Sequence, residues 1–231
     1  MAFILLLVML TACAAAPEDL CGQMLVFPEQ TSKANVVLTT LEDNFSAATV
    51  CFRSITDLRR AHALFSVATS SEDNAFLIFK TSKTNEIEFY VGGKLVKFGE
   101  QDYKLNEWQS ICATWDSETG LVQLWLDGKP SIMKYIGGSK IEKFTALLGQ
   151  DQDSLGGGFS SSQSFVGMIS EVQMWNYTRS GCDIERYMSE QNYLPGNLIN
   201  WRSLEYKLTG RVLLNDAQKS CPKRKPYGKG Y

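Results

Sequence analysis

Only one histidine, His62, occurs among 231 residues. A zinc centre or a His-dependent nucleophile would have to use it, which weakens most hydrolase readings. Beside Arg59 and Arg60 it reads as a solvated or partly buried residue. An excess of one charge is also missing. With 23 Lys and Arg against 25 Asp and Glu, the formal net charge is −2, and there is no electrostatic case for nucleic acid. No apolar run reaches membrane-spanning length. No Cys-x-x-Cys spacing occurs, so metal-knuckle and thioredoxin readings have no support. Neither a repeat nor a linker interrupts the chain. At 44% hydrophobic and 21% charged residues it has the composition of a globular protein, read here as one domain.

What is present begins with an apolar run, Phe3 to Leu10, followed by Thr-Ala-Cys-Ala-Ala-Ala-Pro. A short hydrophobic region and a small-residue zone read as a secretory signal peptide over 1–16, cut after Ala14 or Ala15, although no Lys or Arg precedes it. The mature protein is expected to be secreted, with one domain over 17–218 and a basic, disordered tail over 219–231. Once Cys13 leaves with the signal, Cys21, Cys51, Cys112, Cys182 and Cys221 remain. They should pair in an oxidising compartment, and five leaves one over. The sequons at Asn44 and Asn176 become plausible glycan acceptors.

Short strand-like runs recur about every ten residues: Met24 to Pro28, Asn35 to Thr40, Ala47 to Ser54, Ala63 to Ala68, Phe76 to Lys80 and Glu86 to Val91. Trp108 to Trp115, Leu121 to Leu126 and Val166 to Trp175 follow. Glu86-Ile-Glu-Phe-Tyr-Val91 alternates polar and apolar residues, the period of a half-buried strand. Many short strands with regular turns predict an all-β sandwich. One segment breaks the rhythm: Ser180 can cap a helix over Gly181 to Ser189. A final strand pair is expected at Leu198 to Trp201 and Glu205 to Leu214.

Between the apolar residues Leu147-Leu148 and Phe165-Val166 lies an acidic, glycine-rich excursion. Asp151 and Asp153 flank Gln152, and Gln163 adds a further amide. Oxygen ligands crowded on a flexible loop suit Ca2+, which takes six to eight of them. Gly156, Gly157 and Gly158 allow positive φ, so the loop can fold back. The same composition also fits a solvated surface turn.

Separated blocks resemble the short pentraxin family. They are Ser110-Ile-Cys-Ala-Thr-Trp115, with Ser110 where the family signature has His; Asp73-Asn74 before Phe76-Leu-Ile-Phe79; and Gly149-Gln-Asp-Gln-Asp-Ser154 with Gly167. Asn44 to Arg53 and Leu198 to Arg202 are similar too, so the likeness runs from about Met24 to Leu214. The resemblance implies a jelly-roll, lectin-like sandwich with one helix on the face opposite the ligand site. It also implies a cyclic homo-oligomer, a pentamer by preference, and an innate-immune role in recognising phosphorylated head groups such as phosphocholine and phosphoethanolamine, or related polysaccharide ligands. It places a first Ca2+ on Asp73, Asn74, Asp151, the Gln152 carbonyl and Asp153, and a second on Asp151, Asp153 and Gln163. It pairs Cys51 with Cys112; Cys21 with Cys221 is the further expectation, leaving Cys182 free or intermolecular.

The departures are specific. The family has Glu where this chain has Asp151 and Ser160, so a near-normal first ion and a weak or absent second are expected. Phe79 stands where choline-binding members place a hydrophobic wall. Tyr90 replaces a small Thr, and Leu95 replaces the Glu that pairs with choline. Complement is a further implied partner: Asp127 matches a residue involved, while the expected helix Tyr falls at Met188, one position after Tyr187. A laminarinase-type glycosidase would need a third acid after Glu86 and Glu88, and Val91 stands there instead, so no enzyme is expected. A laminin-G-like adhesion module is the remaining alternative.

Overall fold

The computed structural model describes residues 16–189 and 193–217. In chain order its strands are β1 (Gln23–Phe27), β2 (Asn35–Leu38), β3 (Asn44–Phe45), β4 (Ala47–Ile55), β5 (His62–Ala68) and β6 (Phe76–Lys80). Then come β7 (Ile87–Val91), β8 (Lys94–Phe98), β9 (Gln109–Asp116), β10 (Leu121–Leu126), β11 (Lys129–Pro130) and β12 (Lys134–Tyr135). β13 (Ile141–Glu142), β14 (Thr145–Leu148), β15 (Gly167–Trp175), β16 (Ile199–Asn200), β17 (Tyr206–Thr209) and β18 (Leu213–Asp216) complete the set. The one α-helix among the described residues is α1 (Gly181–Met188).

Two sheets carry the fold. One runs β11-β10-β9-β4-β15-β1-β18, with β12 beside β10 and β16 beside β15; the other runs β17-β2-β14-β5-β6-β7-β8. Alternation decides which side chains meet between them. Phe65, Val67, Phe76, Ile78, Phe89 and Val91 of the second sheet face Val50, Phe52, Ile111, Ala113 and Val172 of the first in one buried cluster. The intervening residues Ser66, Leu77 and Tyr90 therefore point outward, aligned by Ser66–Leu77 and Leu77–Tyr90 pairing. The expected all-β jelly-roll sandwich with one short helix is the observed architecture.

The helix packs on the outer side of the other sheet. Ser180 caps it, its hydroxyl accepting from the Asp183 amide. Ile184 and Tyr187 bury against Trp125, Trp175 and the Cys51–Cys112 disulfide. Those cysteines face each other on β4 and β9, 61 residues apart in sequence. Cys21 and Cys182 are exposed and unbridged among the described residues; Cys221, the expected partner of Cys21, lies outside them, as do the signal segment up to residue 15 and all of the tail over 219–231. No described helix is long and apolar enough to cross a membrane.

Three expectations are corrected. The last segments do not pair with one another: Ile199–Asn200 adds to β15, while Glu205 to Leu214 is broken at Gly210, its halves joining β2 and β1. The edge strand Lys94–Phe98 was not expected. His62 is fully buried, its Nδ1 3.0 Å from the Arg60 carbonyl and its Nε2 3.4 Å from the Tyr103 hydroxyl.

Burial, aided by the charges of Lys80 and Arg60, pushes His62 down to about 4. Its folded value lies below its unfolded value near 6.5, so the unfolded chain binds the extra proton between the two. The contribution is full above pH 6.5 and is lost as pH falls through 4, about 3 kcal/mol in all. Urea titrations of the parent and H62Q between pH 7 and pH 4.5 should show the parent losing this increment and the variant not. Parallel pH profiles would contradict it.

Candidate functional site

The acidic loop is fixed by a side chain whose role the sequence did not reveal. Gln152 is fully buried. Its Nε2 donates to the Ser66 carbonyl at 3.3 Å and the Thr145 carbonyl at 3.1 Å, and its Oε1 accepts from the Gly156 amide at 2.9 Å. The loop is thereby folded back over the outer face of the β5–β14 pair. Gly156 and Gly158 take φ of +69° and +73°, whereas Gly157 does not need positive φ. A Cβ on Gly158 would come within 2.8 Å of Asp153 Cβ, so glycine lets the return strand press against the acid.

That fold-back sets Asp151 and Asp153 beside the β5–β6 turn carrying Asp73 and Asn74. The three carboxylates sense one another. Burial first, then the charges of Asp153 and Asp73, push Asp151 up to about 7. Burial and Asp73 raise Asp153 as well. Asp151 is 5% exposed, and its Oδ1 is buried without a partner. Asn74 Oδ1 is in the same condition, while its Nδ2 donates to Asp73 Oδ1 at 3.1 Å. Buried acceptor oxygens without donors are costly unless something positive meets them. Among the described residues no three acidic, His or Cys side chains are gathered closely enough to hold an ion alone. A cation here draws on amide and carbonyl oxygens too, the mixed donor set that calcium accepts.

Gln163 closes the far side from the 3-10 turn Ser161–Gln163. It is the amide nitrogen that reaches the cluster, donating to Asp151 Oδ2 at 2.9 Å. Ser160 is turned to Ser162, hydroxyl to hydroxyl at 2.8 Å. Two anchors were missed besides Gln152. Glu72 Oε1 accepts from the Asn74 amide at 3.1 Å, and Arg60 holds the Ser162 carbonyl. Spacing carries no signal for Arg60, whose partner lies 102 residues away, whereas Glu72 acts locally, two residues before the amide it holds.

Beside the cluster, Phe79 is part-exposed on the outer face and pairs in register with Glu88. Tyr90 donates to Glu88 Oε2 at 2.8 Å, and Lys97 sits 2.7 Å from Glu88 Oε1. Burial, Glu88 and the Asp151 charge raise the Tyr90 hydroxyl, so it stays protonated. Leu95 is 39% exposed and offers no carboxylate. A separate cleft of about 550 Å³, lined by Leu121, Trp125, Met133 and Arg179, opens at the start of α1 and shares none of these residues. On the helix side Asp127 accepts from the Ser110 amide and Gln109 Nε2, while Tyr187 is buried with its hydroxyl on the Glu171 carbonyl. Asn44 and Asn176 are both part-exposed.

A family model described as the pentaxin family matches residues 23–216. The chain belongs to the pentaxin family. It is 39% identical to C-reactive protein of Xenopus laevis over 87% of this chain and 86% of that protein. It is 35% identical to the serum amyloid P-component of Mus musculus over 87% and 90%. The native heptameric SAP-like pentraxin of Limulus polyphemus shares the fold at a TM-score of 0.78 and 23% identity, covering 86% of this chain and 97% of that one. Pentaxins such as these relatives are non-enzymatic binding proteins, and the chain is a binding protein of the pattern-recognition kind and not an enzyme. Family members are generally calcium-binding.

Proposed function

We propose that this pentaxin is a secreted, calcium-dependent receptor for phosphorylated head groups, acting as a cyclic homo-oligomer. The observation that carries the reading is the pair of buried, unpartnered oxygens, Asp151 Oδ1 and Asn74 Oδ1, beside the mutually repelling Asp73 and Asp153. Calcium, when bound, would supply positive charge and open coordination positions that a phosphate oxygen can fill. Asp73, Asn74, Asp151, Asp153 and the Gln152 carbonyl would hold the first ion. A second ion would rely on Asp151, Asp153 and Gln163, without a carboxylate at Ser160, and is therefore the weaker one. Phe79 forms the apolar wall for the head group. Tyr90 narrows the space beside it, and Leu95 leaves a quaternary ammonium unpaired, which favours phosphoethanolamine over phosphocholine. Asn44 and Asn176 are the glycan acceptors in this reading.

Calorimetric titration of the full chain with Ca2+, repeated with phosphocholine and phosphoethanolamine, tests it. Calcium uptake that tightens when phosphoethanolamine is present supports the reading. Calcium uptake indifferent to either head group moves recognition to carbohydrate or protein, the lectin-like alternative that the missing carboxylates at 95 and 160 favour. No uptake at all would remove it.

A further inference from the structure

Gln163 can reach Asp151 only if the turn that carries it is held at the right height, and Arg60 is the side chain that holds it. Arg60 stands at the entrance to β5, more than 100 residues earlier in the chain. Its Nη1 donates to the Ser162 carbonyl and the Ala61 carbonyl, each at 3.1 Å. Its Nη2 donates to Ser164 Oγ at 3.3 Å. Ser164 Oγ in turn donates to the Ser161 carbonyl at 2.9 Å. One guanidinium thus grips the residues on both sides of Gln163, whose Nε2 meets Asp151 Oδ2. Among the described residues no carboxylate lies within ion-pair distance of Arg60, so its donors serve carbonyl and hydroxyl oxygens only. The 3-10 turn buries no side chain of its own and has no side-chain cap; besides Arg60 it is held by the Ser160–Ser162 hydroxyl pair and by the buried Ser164 and Phe165 that follow it. The planar fork of Arg spans two acceptors at once, which a Lys ammonium does not.

We infer that Arg60 is a positioning residue for calcium: it sets the Ser161–Gln163 turn so that Gln163 both stays on Asp151 and stands where the weaker second ion would use it. The inference rests on the calcium reading above. Groups that orient a metal ligand without touching the metal usually contribute 10–100-fold to affinity.

The test is a double-mutant cycle on the full chain with Ca2+ alone as the probe. R60A should weaken calcium binding about tenfold, and Q163A, which also removes a proposed ligand of the second ion, by at least as much. The double variant should be no weaker than the worse single one, because both changes break the same chain of contacts. R60K, which keeps the charge but loses the fork, should weaken binding several-fold and guards against a misfolded R60A. Hydrogen exchange of residues 160–164 in chelator should speed up in R60A, while exchange in β9 and β15 stays as in the parent. Additive losses in the double variant, or calcium affinity unchanged in R60A and R60K, would overturn the positioning role while leaving the calcium reading intact. A parent protein that takes up no calcium would overturn that reading and this inference together.

Discussion

Asp151→Asn is expected to abolish the rise in melting temperature that calcium gives the parent, and at the same time to make the calcium-free protein more stable than the parent. Both halves have one cause. Asp151 is 5% exposed and lies near Asp153 and Asp73, and these together raise it to about 7. A carboxyl whose folded value is raised weakens the fold wherever the unfolded chain would already be ionised. The cost is absent at acid pH, grows above about pH 4 and is complete above about pH 7, where it amounts to at most about 4 kcal/mol. An amide of the same shape removes the cost. It also removes the charge that an ion would need, so the gain from saturating calcium, about 2.7 kcal/mol at a hundredfold excess over Kd, disappears. Scanning calorimetry of both proteins at pH 7.5, in chelator and in excess calcium, measures the two halves separately. A D151N protein that keeps the full calcium shift would take Asp151 out of the site.

Removing the Cys51–Cys112 bridge should cost about 4 kcal/mol. The disulfide closes a loop of 61 residues, and the chain-entropy model assigns that figure to a loop of such length. Both cysteines are fully buried beneath Trp125, Trp175 and Tyr187. Alanines there would also open space where the sulfur atoms pack, so the entropic figure is a lower one for the double variant C51A/C112A. Urea unfolding of that variant, with the midpoint lowered and the slope somewhat steeper because the unfolded chain is released from its cross-link, is the expected result. A loss under 1 kcal/mol would mean that the packing of β4 against β9 alone fixes the sheet. Cys182, being exposed, should react with a thiol reagent in the folded protein while the bridge stays closed.

The apolar strands were legible because their composition leaves few alternatives. Phe76–Lys80 falls where its apolar run predicts a strand, and Leu121–Leu126 where its alternation does. The helix was legible from Ser180, whose cap forms as expected, although its last turn stops at Met188. Lys94–Phe98 escaped because an edge strand can carry Lys at alternate positions and show only one buried residue. The break at Gly210, where φ is +69°, has its local signal in the Thr209-Gly210 pair. His62 could not be placed from its neighbours in sequence, because what buries it comes from Tyr103 and Phe165, far along the chain. In the acidic loop the residue types announced oxygen donors, while the parts that hold them in place stayed hidden. Gln152 was read for its carbonyl, yet its side chain pins the loop. Arg60 was read only as a neighbour of His62, yet it grips the turn at Gln163. Such supports are made by partners 86 and 102 residues away, and no local pattern encodes them.

The acidic loop and the helix occupy opposite outer sides of the sandwich, with a core of interlocked aromatic rings between them. A close-packed interior of this kind resists small deformations and does not pass them on by degrees. The two sides also face away from each other, so a target held at the loop leaves the helix side uncovered. In the proposed receptor, a readout on the helix side would register how many molecules a target gathers, and how near together. Avidity then sets the threshold: a sparse surface holds single, short-lived contacts, and a crowded one turns weak individual sites into lasting attachment.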